Sequence, residues 1–394
     1  MNAKKRSSWQ SILTFLLLFV TWCLPDSFAA TSHGKFLMYV GTYTSKDSKG
    51  IYAYRFDADS GHVSSLGLAA ETENPSFIVI HPNGRYLYAV NEIQKYQGKD
   101  SGIVSAFAID RSTGKLTLLD QVASRGADPC YVSFDKSGKH LLVANYTGGS
   151  VASFPINSDG RVGEASSFMQ HKGSSVNAER QEGPHAHSID ISPDGRFAMV
   201  ADLGLDEILV DRFDEQDGAL TGADPAFTKI DAGSGPRHFK FHPNGKFAYL
   251  ISELRNTITS FSYDLKTGKL RALDTASSLP KEFTGHSEAA EIQIHPSGKF
   301  LYASNRGYDS VAVFNIDEKS GKLTNLEIVP SGGRNPRYFT VDPSGTRLLV
   351  AGQDSGNIVF FKIDPKGGQI KQTEEQIKVD SPVCIQFLAL DSID

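Results

Sequence analysis

The chain has 394 residues, with 40 Lys and Arg against 45 Asp and Glu, a formal net charge of −5, and three cysteines. No basic run exists beyond the first few residues, which argues against nucleic acid or an anionic membrane surface as a partner. Three cysteines in a chain this long also exclude a disulfide-built scaffold, so a packed core has to hold the fold.

The first element is not part of that core. Lys4, Lys5 and Arg6 precede an apolar stretch from Ile12 to Leu24, and Ser27-Phe28-Ala29 supplies small residues at the −3 and −1 positions of a cleavage site. Residues 1–29 read as a secretory signal peptide. About thirteen apolar residues are too few to span a hydrocarbon core of roughly 30 Å. Cleavage would remove a net +2 and leave a mature chain near −7, periplasmic or secreted, with residues 30–394 as one domain.

Beyond residue 30 the chain repeats itself. Phe56-Asp57 followed by Gly61 is echoed at Ile109-Asp110/Gly114, Ile156-Asn157/Gly160, Phe213-Asp214/Gly218, Tyr263-Asp264/Gly268, Ile316-Asp317/Gly321 and Ile363-Asp364/Gly368. Between these stand six turns closing on Gly84, Gly138, Gly195, Gly245, Gly298 and Gly345, 47 to 57 residues apart. Short β-branched and aromatic runs flank each turn. A period near fifty built of four short strands predicts an all-β, seven-bladed β-propeller. The seventh hairpin is split: Pro382–Phe387 lacks a partner at the C-terminus, and Phe36–Gly41 lacks one at the N-terminus. Pairing them in one blade would close the ring and remove two open sheet edges. His81, His242 and His295 recur at one turn position and read as turn devices. The segment from Gln170 to Gly183 is longer and more polar than its equivalents and reads as a mobile loop. Cys130 and Cys384 fall in repeats two and seven, which are not neighbours, so no disulfide is expected.

Repetition also supplies a control: a residue needed for folding recurs in every copy, whereas one needed for chemistry appears once. Eight residues before each turn glycine stand Ser76, Cys130, His187, Arg237, Ala290 and Arg337. Eight residues after it stand Glu92, Tyr146, Leu203, Glu253, Arg306 and Gln353. A hairpin brings both columns to one face of the ring, opposite the turns. Unlike charges at His187, Arg237, Glu253, Arg306 and Arg337 therefore gather at one mouth of the central channel, with His185, His238, Glu288, Glu291, Asn91, Asn145 and Asn305 nearby. Arginines converge where an anion would sit, and a histidine or glutamate among them can move a proton. One carboxylate beside several arginines makes a poor divalent-cation site, and no Gly-x-Ser-x-Gly or His-Glu-x-x-His stretch is present, so no metal or cofactor is expected.

Gly41-Thr42-Tyr43-Thr44, Asn74-Pro75-Ser76-Phe77, Ala144-Asn145-Tyr146, Pro184-His185-Ala186-His187-Ser188, Gly235-Pro236-Arg237-His238 and Ser304-Asn305-Arg306-Gly307 resemble the seven-bladed propeller lactonases. These comprise bacterial 6-phosphogluconolactonase of the propeller type and its fungal relative carboxy-cis,cis-muconate cyclase. The resemblance runs from about Phe36 to Phe387. It implies a catalytic set on His187 (or His185), Arg237, Glu253 and Arg306, with His185, Arg337, Glu92, Asn145, Glu291 and Asn305 binding substrate. The activity implied is hydrolysis of a sugar-type lactone, 6-phosphogluconolactone or a related aldonolactone, with His187 or Glu253 as base. The alternatives are a cycloisomerase of a carboxymuconate-type substrate and a binding or scaffold propeller without catalysis. The partner expected is a small anionic lactone or sugar acid, with no nucleic acid, no membrane after cleavage, and a monomeric chain.

Overall fold

The computed structural model describes residues 34–390, so the signal segment lies outside the described residues. Seven four-stranded antiparallel sheets form a ring. Blades 1 to 6 follow chain order, with innermost strands Pro75–Ile80, Pro129–Phe134, Ala186–Ile191, Pro236–Phe241, Glu288–Ile294 and Pro336–Val341. Blade 7 joins the chain ends as anticipated. Its inner strand Pro382–Ala389 pairs with Lys35–Thr42, from Phe36 opposite Ala389 to Gly41 opposite Cys384.

Each blade grades from apolar inside to polar outside. In blade 3 the second strand, Phe197–Asp202, is buried along its whole length, whereas the fourth, Leu220–Lys229, is mostly exposed. Neighbouring blades are latched by side chains that recur with the repeat. Tyr88, Tyr249 and Tyr302 are buried and donate their hydroxyls to the carbonyls of Gly160, Gly321 and Gly368 in the next blade. The turn histidines also reach across. Nε2 of His81, His242 and His295 contacts the carbonyl oxygens of Gly138, Gly298 and Gly345 at 2.7 to 2.9 Å. Their Nδ1 atoms accept from the backbone N–H of Asn83, Asn244 and Ser297. An acceptor at Nδ1 places the ring proton on Nε2, so each is a neutral donor to its neighbour. Recurrence here reflects construction of the ring.

The innermost strands share one irregularity that positions the site. The register between strands one and two slips by one residue at Ser76, Cys130, His187, Arg237 and Arg337, and across Ala290–Glu291 in blade 5. These are the residues eight positions before the turn glycines. A β-bulge re-aims side chains and breaks strict alternation, so a bulged residue and its successor can both face the channel. Cys130 and Cys384 are buried and free.

Candidate active site at the channel mouth

Glu253 is the centre of the charged cluster. It follows Phe247–Ser252, the second strand of blade 4, and only 3 % of its surface is exposed. Its Oε2 accepts from Arg237 Nε at 2.9 Å and lies 2.9 Å from Arg306 Nη2. His187 Nε2 stands 3.8 Å from the same oxygen. Burial opposes the charge of Glu253, but Arg306, Arg237, His187 and Arg180 outweigh it and hold the carboxyl well below its usual range. The structure thus brings together all four residues marked as catalytic from the sequence.

Arg180 was not foreseen. It comes from the 170–183 segment, which is pinned rather than free. His171 Nδ1 lies 2.7 Å from Asp202, Ser175 donates to Asp206 at 2.6 Å, and the buried Gln181 amide donates to Leu203 O at 2.8 Å. Two buried acidic side chains of blade 3 therefore anchor a segment whose composition suggested mobility. Arg180 Nη2 contacts Glu253 Oε1 at 2.5 Å, and its Nη1 donates to Glu288. Glu288 also pairs with Arg306 Nη2 at 3.4 Å.

Arg237 is 2 % exposed and donates through Nη1 to Ala290 O at 2.5 Å. Burial, together with Arg306 and Arg337, brings its pKa down to about 10, so it is still charged at neutral pH. Burial and the neighbouring Arg237 push His187 well below the usual imidazole value, so it is neutral. Burial likewise pushes the Cys130 thiol far up, which rules out a thiolate nucleophile.

Arg337 differs from the other three arginines. Its guanidinium lies over the Tyr43 ring at 5.4 Å, and among the described residues no carboxylate comes within ion-pair distance of it. Tyr43 donates its hydroxyl to Glu92 Oε2 at 2.8 Å, tying that carboxylate to the same wall. Arg306 Nε is buried with no hydrogen-bond partner. Arg337, Glu92, His187, Arg237 and His238 all line a central cavity with room for about one water molecule. Arg306, Arg180 and Glu288, at the same cluster, are more exposed than Arg237 and Glu253.

Other expected residues fall elsewhere. His185 lies outside the cavity lining, stacked on Tyr146 at 4.5 Å with Nε2 3.2 Å from Glu182. Asn145 and Asn305 are fully buried, and neither is among the residues lining the central cavity. Asn145 donates to Ser124 O and Ser150 Oγ, and Asn305 to Ser278 O and Ser310 Oγ. Asn91 acts alike in blade 1, where Ser105 donates to it at 2.6 Å. These amides tie the end of strand two to strand three and to the preceding loop. Glu291 lies deeper than the mouth, one residue past the bulge column, with Oε2 2.9 Å from His238 Nδ1. Among the described residues no cluster of three or more His, Cys, Asp or Glu has the arrangement of a metal site.

The model of the family described as "Lactonase, 7-bladed beta-propeller" matches residues 37–387. The chain is 36 % identical to the 6-phosphogluconolactonase of Bacillus subtilis (strain 168) over 354 residues, 90 % of this chain and 99 % of that one. It is 36 % identical to the 6-phosphogluconolactonase of Formosa agariphila over 89 % of this chain and 99 % of that one. Among solved structures, the periplasmic gluconolactonase of Pseudomonas aeruginosa superposes with a TM-score of 0.85 at 36 % identity, covering 91 % of this chain and all of that one. Ring, family model and relatives agree: the chain belongs to the seven-bladed β-propeller lactonase family.

Proposed function

We propose that the chain is a lactone hydrolase that opens a sugar-type lactone at the channel mouth. The observation that carries this reading is the charge pattern of the cluster. Arg180, Arg237, Arg306 and Arg337 face Glu253, Glu288 and Glu92, four cations against three anions, and Arg337 is the one of the four with no carboxylate at ion-pair distance among the described residues. A guanidinium without an ion-pair partner and, elsewhere in the same cluster, an unused Arg306 Nε–H are donors prepared for an anion, whether a substrate carboxylate or phosphate or an oxyanion formed during reaction.

In the reaction, water attacks the lactone carbonyl while an imidazole of the cavity wall takes one of its protons. Negative charge forms on the carbonyl oxygen, where Arg306 and Arg237 stabilise it. The intermediate collapses with cleavage of the carbonyl carbon–ring oxygen bond, and the imidazolium returns its proton to the departing oxygen. The product is a hydroxy acid, which ionises and releases one proton. Glu253, held ionised by three guanidiniums, serves as their anchor; a carboxyl so strongly stabilised as an anion is a weak proton acceptor.

The leader-like residues 1–29 favour an exported enzyme acting on an unphosphorylated aldonolactone or uronolactone. The relative named periplasmic gluconolactonase is consistent with that reading. A pH-stat tests it: acid release from glucono-δ-lactone and from 6-phosphogluconolactone, each corrected for spontaneous opening. Enzyme-dependent release proportional to enzyme concentration is expected. No release above blank from either substrate would refute the reading.

A further inference from the structure

The logic that isolates the mouth residues applies once more, one residue deeper. Seven residues before each turn glycine stand Phe77, Tyr131, Ser188, His238, Glu291 and Tyr338. Because each inner strand is bulged just before this position, the column faces the channel as a second ring. Four of its members are aromatic or small, whereas His238 and Glu291, on adjacent blades, are a titratable pair 2.9 Å apart and 2 % and 1 % exposed. No rule of propeller construction asks for this pair, and none of the ion pairs that hold Glu253 includes it.

We infer that His238, oriented by Glu291, is the general base that removes the proton from the attacking water. The inference rests on the lactone-hydrolase reading and deepens it. Arg237 Nη1 lies 3.5 Å from His238 Nε2. A guanidinium can only donate, so Nε2 is the acceptor and the ring proton sits on Nδ1, where it is donated to Glu291. His238 is one of the residues lining the water-sized cavity, and Arg237 beside it is also an oxyanion donor. Burial, with Arg237 beside it, holds His238 well below the usual imidazole range, so it rests neutral; the buried Glu291 carboxylate fixes its tautomer and stabilises the imidazolium that forms as water is deprotonated. His187 lacks such an orienting partner: its Nδ1 is 3.7 Å from Cys130 Sγ and its Nε2 is 3.8 Å from Glu253. His187 is then a wall against His238, with ring centroids 5.3 Å apart.

In the forward step the attacking water's oxygen bonds to the carbonyl carbon, and one of its protons moves to His238 Nε2. Glu291 keeps the Nδ1 proton and offsets the imidazolium charge. When the ring oxygen leaves, the Nε2 proton goes to it. Atoms and charge balance with no further reactant. Glu291 must be ionised for the base form. Burial pushes it up to about 7, against the lowering effect of Lys240 and Arg237, with Asp190 raising it further. Other groups facing the pair are Arg337, His187, Tyr131, Tyr338 and Cys384. Turnover is expected to fall as pH drops through about 7, where Glu291 takes up a proton and stops offsetting the imidazolium.

The experiment is kcat and KM against pH for the purified full chain and for His238→Gln, His187→Gln and Glu291→Gln. Histidine nitrogen NMR is recorded on the parent and on Glu291→Gln. His238→Gln is expected to lose ~10²- to 10⁴-fold in kcat, the usual span for a general base, with KM within a few-fold. His187→Gln should lose less. Glu291→Gln should retain measurable turnover, lose the fall near pH 7, and release His238 from the single Nδ1–H tautomer seen in the parent. Equal kcat in the parent and His238→Gln, an unchanged pH profile in Glu291→Gln, or a parent His238 carrying its proton on Nε2 would each overturn the inference while leaving the lactonase reading intact. A folded parent that opens no lactone overturns the lactonase reading and this inference with it.

Discussion

Replacing Arg337 with alanine separates the anion-receptor role from the structural one. Arg237 and Arg306 are locked against Glu253, so removing either disturbs a buried ion cluster. Arg337 has the Tyr43 ring against its guanidinium and no carboxylate at ion-pair distance among the described residues, although Glu92 and Glu253 attract its charge from farther off and Arg237 opposes it. Loss of Arg337 costs the fold one cation–π contact, about 0.5–2 kcal/mol, while the longer-range attraction of Glu92 and Glu253 and the repulsion of Arg237 act in opposite senses. For a domain of this size a change of that order moves the melting temperature by only a few degrees. A charge-assisted hydrogen bond to a substrate carboxylate or phosphate is worth about 1.5–3 kcal/mol. At about 1.4 kcal/mol per factor of ten, this is roughly a 10- to 150-fold rise in KM for an anionic lactone. The assay is a pair of saturation curves for Arg337→Ala, one on an anionic lactone and one on uncharged glucono-δ-lactone. KM should rise on the first and hardly move on the second, with kcat nearly constant on both. An equal loss on both substrates, or a large fall in melting temperature, would refute the claim that Arg337 is held free for an anionic group.

Arg237→Ala should reduce turnover by roughly a hundredfold or more, the scale of losing one preorganised oxyanion donor. Because its partner Glu253 is buried, circular-dichroism melting should also show a clear loss of stability, unlike the behaviour of a surface charge. His81→Ala should leave turnover unchanged while lowering stability by about 0.5–1.5 kcal/mol in urea titrations, since it removes one inter-blade hydrogen bond. The two glutamates should act on stability in opposite senses. Glu253 is depressed, so its contribution is present above the unfolded carboxyl pKa and is lost only when pH falls through its folded value, well below the usual range. Glu291 is raised to about 7, so stability should decline as pH rises from about 4.3 towards 7 and then level off. Glu291→Gln should flatten that part of the melting-temperature curve.

The ring was legible because its turns, acidic residues and glycines recur at nearly constant spacing. The split blade followed from counting strands at both ends. His187, Arg237, Glu253 and Arg306 were legible because repetition makes a broken column visible, and the bulge gives that column a common orientation. The same bulge explains why the sequence marks His238 and Glu291 as neighbours of the mouth without pairing them. Simple alternation sends His238 and Glu291 away from the face occupied by Arg237, and only the extra residue in the strand turns both positions inward. Asn91, Asn145 and Asn305 stand at one repeat position, a recurrence that marks a structural device tying strand two to strand three. Arg180 had no counterpart for comparison, since its segment occurs in one blade. What ties that segment down, His171 on Asp202 and Ser175 on Asp206, is a tertiary contact without a local pattern.

The most direct test of the central claim is a crystal structure of the chain with an aldonate, the ring-opened product, bound at saturating concentration. The account predicts a carboxylate within hydrogen-bond distance of Arg306 Nε and Arg237, and the rest of the molecule extending across the mouth towards Arg337. An aldonate bound elsewhere on the ring, with the Arg237–Glu253–Arg306 cluster left unchanged and unoccupied, would contradict it.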